Sequence, residues 1–203
     1  MSAYPLVLEG DAIEALIVGG GGVAVRKARA LLAAGARLRV VAESPSEAMR
    51  AVARGEARCT LVQRGYAAGD VADATLVIAA TDRRDVNARV AADARAAGRL
   101  VNVADDPAAG NCATAAVHRA GDLVIAVSAG GVPSAAARVR DALAARFDAR
   151  YGAVVGALGT LRRRLLDAGD RDAWHRALDA LVTDDFCARV ERGELGEEVA
   201  AWR

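Results

Sequence analysis

The sequence predicts an α/β protein: a parallel sheet with helices on both faces, then a small α+β segment and a helical tail. Three observations predict it. Short apolar, β-branched runs alternate with longer helical patterns up to about residue 130. Glycines stop two of the helical runs, at Gly35 and Gly98. A glycine-rich turn, Gly19 to Gly22, joins the first apolar run to the first helical one. Crossovers between parallel strands are right-handed, so the β-α-β-α order gives a Rossmann-type arrangement.

The elements follow in order. Residues 15–18 form a buried-strand run, and residues 23–34 a helix ending at Gly35. Residues 38–41 are the next strand. A helix over 46–54 begins after Ser44-Pro45-Ser46. Residues 57–62 are strand-like. Residues 74–79 are apolar and β-branched, a helix follows over 85–97, and residues 100–103 are another strand. After Asp105 the pattern changes. Residues 115–118 and 123–127 read as two strands joined by residues 119–122. Gly130-Gly131-Val132-Pro133-Ser134 is a loop that opens a helix. The remainder reads as helices over about 135–149, 152–167, 170–182 and 184–201. Boundaries fall near residues 110 and 150.

The totals bound what such a chain does. Its 203 residues are 54% hydrophobic, enough for a core and too apolar for disorder. Aromatics are only 3%, so alanine, valine and leucine do the packing. With 27 basic and 26 acidic residues the net charge is +1, which gives no global field for nucleic acid. Cys59, Cys112 and Cys187 are odd in number and far apart. They show neither metal-ligand spacing nor a disulfide framework, as expected in a reducing cytosol. The start has no basic segment or long apolar run, and no stretch reaches membrane-spanning length. A cytoplasmic protein is the expectation.

Gly19-Gly20-Gly21-Gly22-Val23-Ala24 fits G-x-G-x-x-A between a strand and an amphipathic helix. Gly19 permits the tight turn, Gly21 lets a pyrophosphate approach the backbone, and Ala24 lets helix and strand pack closely. The free N–H groups around Gly22 and Val23 carry the positive end of the helix dipole. Glu43 follows the second strand, 24 residues after Gly19. A carboxylate there accepts hydrogen bonds from ribose hydroxyls and repels a 2′-phosphate, which favours NAD over NADP. Its other reading is a solvated, helix-capping glutamate. Ser44 either caps the next helix or adds to adenosine binding. Thr81 and Asp82 follow the strand at 74–79 and either contact the cofactor or cap the next helix.

Asn102-Val103-Ala104-Asp105-Asp106-Pro107 ends another strand at the same edge. Pro107 holds Asp106 extended and stops any helix. Asp105 then lies where the nicotinamide end belongs, and an aspartate at such a mouth can move protons. Its other reading is a turn aspartate bonded to its own backbone.

Four segments, taken in order, resemble one family. They are Leu16 to Ala28, Ala79 to Asp82 with Val86-Asn87, Asn102 to Asp105, and Gly121 to Gly131. They resemble precorrin-2 dehydrogenase, which is also the N-terminal half of siroheme synthase, clearly from about Tyr4 to Leu143 and weakly beyond. The resemblance implies NAD-dependent oxidation of precorrin-2 to sirohydrochlorin. Some members also insert ferrous iron to make siroheme. It implies a homodimer with residues 1–110 binding NAD, 111–149 forming the dimerisation and substrate-facing segment, and 150–203 a helical domain. Asp105 matches the family's essential aspartate, a general base in the oxidation. Gly22, Val23, Glu43 and Ser44 match positions that contact NAD. Ser128, Gly130, Gly131 and Arg138 fall in the tetrapyrrole-facing part, with Arg138 matching a family arginine. Precorrin-2 is rich in carboxylates, so a basic pocket is expected.

The chain departs from the family at Ala129, where many relatives have Ser or Thr, at Val132-Pro133-Ser134, and at Asn111-Cys112-Ala113-Thr114. His118 and His175 are the only histidines and form no recognisable metal site. Two other readings share the glycine loop. One is an NAD-sensing regulatory domain of a potassium transport system. The other is a chelatase without redox activity.

Overall fold

Strand residues alternate between two faces, so apolar side chains on successive positions require cover on both. The computed structural model describes residues 3–202, in two units, Met1–Thr114 and Ala115–Arg203. The first unit contains β1 (Glu14–Val18), α1 (Gly22–Ala33), β2 (Arg37–Val41), α2 (Glu47–Gly55), β3 (Cys59–Val62), β4 (Leu76–Ala79), α3 (Arg84–Ala96) and β5 (Leu100–Val103). All strand pairs are parallel, in the order β3-β2-β1-β4-β5. The expected α/β arrangement of Rossmann type is therefore present.

The two faces are legible residue by residue. Ala15, Ile17, Leu38, Val40 and Ile78 pack with Ala24, Val25, Ala28 and Leu32 of α1 and Met49 of α2. Leu16, Val18, Val77, Ala79, Val101 and Val103 pack with Val90, Ala91 and Ala94 of α3. The register places Val62, Val41, Val18, Ala79 and Val103 in one row across the sheet. The loops after β1, β2, β4 and β5 thus leave from one edge, and the strand order reverses between β1 and β4. That is where ligands of open α/β sheets bind.

One buried charge is balanced within this unit. Asp70 is 3% exposed. Arg64 grips both its carboxylate oxygens, at 2.8 and 2.6 Å. Those bonds hold its carboxyl below the usual aspartate range despite burial.

The second unit begins with an antiparallel hairpin, β6 (Ala116–Ala120) and β7 (Leu123–Val127). Its turn is the pair Gly121-Asp122, shorter than the four residues expected, and Gly121 has φ +55°. Five helices follow: α4 (Pro133–Arg146), α5 (Ala149–Asp167), α6 (Arg171–Leu181), α7 (Phe186–Arg192) and α8 (Glu194–Ala201). The single helix expected over 184–201 is two, because Gly193 at φ +79° ends α7 in a left-handed cap. The helices have their own core, built on Tyr151, Leu161, Leu165, Ala177, Leu181, Leu195 and Val199. A Cβ at Gly152 of α5 would lie 2.3 Å from the Ala120 carbonyl oxygen, so α5 packs directly on β6. The sequence reading divides 111–149 from 150–203, whereas Ala115–Arg203 form one unit.

Candidate functional site

The glycine loop divides into two pairs with different duties. Gly19 has φ +126°, and a Cβ there would lie 2.3 Å from the Ala80 carbonyl oxygen. Its N–H donates to the Val41 carbonyl at 2.9 Å. A Cβ at Gly20 would lie 2.6 Å from Pro45 Cα, and the Gly20 carbonyl accepts from Ser46 N at 3.0 Å. This first pair lets the loop pack against its neighbours. Gly21 and Gly22 face open space, with nothing within 4 Å of an added Cβ.

Gly21 is the N-cap of α1 and has no side chain to cap it. The first intrahelical bond runs from Val25 N to Gly21 O, which leaves the N–H groups of Gly22, Val23 and Ala24 without intrahelical acceptors. Three free donors, the helix dipole and an open approach make an anion cradle. A side chain at Gly21 or Gly22 would fill it. Ala24 is fully buried between helix and sheet, and Val23 is 40% exposed beside the cradle. The residues present fit a dinucleotide pyrophosphate.

Glu43 and Ser44 follow β2 at the same edge and are exposed. Ser46, not Ser44, caps α2, accepting from Met49 N at 3.2 Å. The cap alternative for Ser44 is thereby set aside. Glu43 does not cap the helix either. Its carboxylate lies over Gly65, where a Cβ would come within 2.8 Å of Oε1. Its carbonyl accepts from Gln63 Nε2 at 3.4 Å.

Thr81 and Asp82 leave β4 beside Gly19. The Thr81 hydroxyl accepts from Arg83 N at 3.1 Å and donates to Asn87 Oδ1 at 2.7 Å. It therefore shapes its own loop rather than capping α3, whose N-cap is Arg83 without a side-chain bond. Asp82 is exposed.

Asp105 follows β5, and its side chain is 36% exposed. It is not the turn aspartate of the alternative reading. That part falls to Asp106, whose carboxylate accepts from Ala108 N at 3.2 Å. Asp105 Oδ1 instead accepts from Asn87 Nδ2 at 3.0 Å. Arg84 Nε stands 3.9 Å from Oδ2. The first unit thus brings Gly19, Thr81, Asn87 and Asp105 into one connected edge.

Asn87 falls within a family-like motif but carries no expected role in the sequence. The signal was present: Asn87, Val90, Ala91 and Ala94 share one helical face, and the other three are apolar and buried. A polar residue on a core face needs partners. Asn111 was also missed. Its Oδ1 accepts from Val101 N at 2.7 Å and its Nδ2 donates to Arg99 O at 2.9 Å, fastening the segment after Asp105 along the edge of β5.

In the second unit, Ser128 follows β7 and is exposed. Gly130 and Gly131 have φ +54° and +86°, a turn that other residues adopt only with strain. Arg138 is exposed on α4. Among the described residues, no group of three His, Cys, Asp or Glu is placed to hold a metal ion, and no helix is long and apolar enough to cross a membrane.

Sheet order, switch point and cradle define a dinucleotide-binding α/β protein. Residues 6–116, more than half of the chain, match the family model described as "Putative NAD(P)-binding", and the chain belongs to that family. It is 40% identical over 167 residues to the siroheme synthase of Ectopseudomonas mendocina, covering 82% of this chain and 35% of that protein. It is 39% identical over 191 residues to the siroheme synthase of Pseudomonas aeruginosa PAO1, covering 93% of this chain and 39% of that one. The chain thus spans little more than a third of the length of these relatives. Its structure is similar to that of SirC, a precorrin-2 dehydrogenase, with TM-score 0.76 and 24% identity, over 98% of this chain and 99% of that one. The sequence similarities bear out the resemblance read from the four segments, and the structural one bears out the fold.

The Glu43 reading has a direct consequence. Glu43→Ala should weaken NAD binding by about 10- to 100-fold, the cost of one or two hydrogen bonds to a charged group. It should also narrow the preference for NAD over NADP. Titration calorimetry with both dinucleotides checks this. An unchanged NAD affinity would return Glu43 to the solvated reading.

Proposed function

We propose that this protein oxidises precorrin-2 to sirohydrochlorin with NAD as hydride acceptor. The observation that carries the reading is the joining of phosphate cradle and carboxylate on one sheet edge: Gly19 abuts the Thr81 loop, and that loop is bonded through Asn87 to Asp105. The similarity to siroheme synthases and to SirC supports the choice of substrate.

The oxidation breaks a C–H bond of precorrin-2, and NAD, when held in the cradle, would supply the two-electron acceptor for its hydride. The proton released with it passes to Asp105. The N–H groups of Gly22, Val23 and Ala24 hold the pyrophosphate, and Glu43, with Ser44 beside it, receives the adenosine ribose. Asp82 lies at the rim of the same edge. Ser128, Gly130, Gly131 and Arg138 serve the tetrapyrrole, with Arg138 answering its carboxylates. The protein's contribution is orientation of the reacting groups, with one positioned base. Ferrous iron insertion, where it occurs, draws on the same carboxylate for the pyrrole protons.

A homodimer is part of this proposal. Along the β6–β7 hairpin, Val117 and Val124 are each 39% exposed on the outer face, beside exposed Ala126. Apolar residues on an open hairpin suit a partner surface.

The reaction itself is the test. Purified protein given precorrin-2 and NAD under anaerobic conditions should form NADH, seen by its near-ultraviolet absorbance, and none when precorrin-2 is omitted. Absence of NADH in the complete mixture would refute the dehydrogenase reading.

A further inference from the structure

We propose that Asn87 is the positioning residue for Asp105, and that it selects Oδ2 as the oxygen that takes the proton. The proposal rests on the dehydrogenase reading for the meaning of that proton. The geometry stands independently of it.

Asn87 lies on α3 and is 1% exposed. A primary amide has two donors and two acceptor lone pairs, and here all four are engaged. Oδ1 accepts from Thr81 N at 3.1 Å and from Thr81 Oγ1 at 2.7 Å. Nδ2 donates to Thr81 O at 3.0 Å and to Asp105 Oδ1 at 3.0 Å. The Thr81 loop alone accounts for three of these bonds. The fourth goes to a carboxylate whose side chain is 36% exposed and has water available instead. That bond is not needed to satisfy Asp105, but it removes the carboxylate's rotational freedom.

It also makes the two carboxylate oxygens unequal. Oδ1 is held by a buried donor. The cation nearest Oδ2 is Arg84 Nε, at 3.9 Å on a side chain that is 90% exposed. That distance is outside hydrogen-bond range, so Oδ2 keeps its lone pairs. The anchor is fixed in turn to the loop on which Gly19 packs. The position of the base is therefore set relative to the cradle by one buried amide.

Two substitutions separate positioning from simple structural support. Asn87→Ala removes every bond. It should lower kcat by about 10- to 100-fold, the effect of a loosened reacting group, with the KM for precorrin-2 nearly unchanged. Asn87→Asp is isosteric and keeps one oxygen for both Thr81 donors; it gives up the bond to the Thr81 carbonyl, so two of the loop's three bonds remain even if the alanine variant does not fold. Its other oxygen then faces Asp105 at hydrogen-bond distance, and two carboxylates so close do not both ionise. With one shared proton the residue at 87 donates again; without it the pair repels. The activity of Asn87→Asp relative to wild type should therefore rise as pH falls. A ratio independent of pH, or an Asn87→Ala variant that folds and keeps its kcat, would overturn the proposal.

A readout that needs no substrate keeps the two readings apart. In the wild-type protein the Asn87 side-chain amide resonance should shift as acid titrates Asp105, and Asp105→Asn should abolish that shift. If the wild-type protein makes no NADH yet the amide follows the titration, the function is wrong and the contact stands. An amide that does not respond contradicts the contact itself.

Discussion

Replacing Asp105 with asparagine should lower kcat for precorrin-2 oxidation by about a hundred- to ten-thousand-fold, the range of a lost general base. The substitution is isosteric. Asparagine can still accept the Asn87 donor, and partial exposure of the side chain leaves room for the added N–H groups to reach water. Folding and NAD affinity should stay within a few-fold of wild type, because the cradle lies on a different loop. The expected pattern is a loss in kcat and kcat/KM together, with the Kd for NAD preserved. Measured by NADH formation and by NAD titration, a variant with near-normal kcat would remove Asp105 from the mechanism. Water would then take the proton.

The second large effect lies in the cradle. Gly21→Val should leave the fold intact, since its backbone is extended at φ −84°, ψ −174° and an added Cβ meets nothing within 4 Å. The same open space is where the pyrophosphate goes, so NAD binding should weaken by about a hundred-fold or more, equivalent to roughly 2.7 kcal/mol. Gly19→Ala should fail differently. At φ +126°, with the Ala80 carbonyl oxygen 2.3 Å from the new Cβ, it should lower the melting temperature by several degrees, as a strained core substitution of about 1–3 kcal/mol does. Melting curves with NAD titrations on both variants check the division. A Gly21→Val protein that still binds NAD normally would show that the cradle is not the phosphate site.

Those two glycines show how far the sequence was legible. The strand-turn-helix pattern located the loop, and the run from Gly19 to Ala24 carried the expected roles for Gly19 and Ala24. Short apolar, β-branched runs also located the seven strands of the described residues, the hairpin strand Leu123 to Val127 among them. Boundaries that depended on a single backbone conformation were less legible. Gly193 lies in a run of helix-forming residues, and its left-handed cap splits what reads as one helix. Side-chain wiring was least legible. Asp105 was visible from its place after a strand, but its hydrogen-bond partner is 18 residues earlier on another element. Only the sheet register, which aligns Ala79 with Val103, brings the two loops together. Ser44 and Ser46 illustrate the same limit: both are chemically suited to cap α2, and chain geometry chose Ser46.

In the proposed reaction, hydride passes directly from precorrin-2 to NAD at the edge where the cradle and Asp105 meet. Precorrin-2 carrying deuterium on the reacting carbon, incubated with the protein and NAD, tests it. Deuterium is expected on the nicotinamide ring of the NADH formed, in an amount equal to the sirohydrochlorin produced. Sirohydrochlorin formed with the deuterium lost to solvent, or formed without NADH, would contradict it.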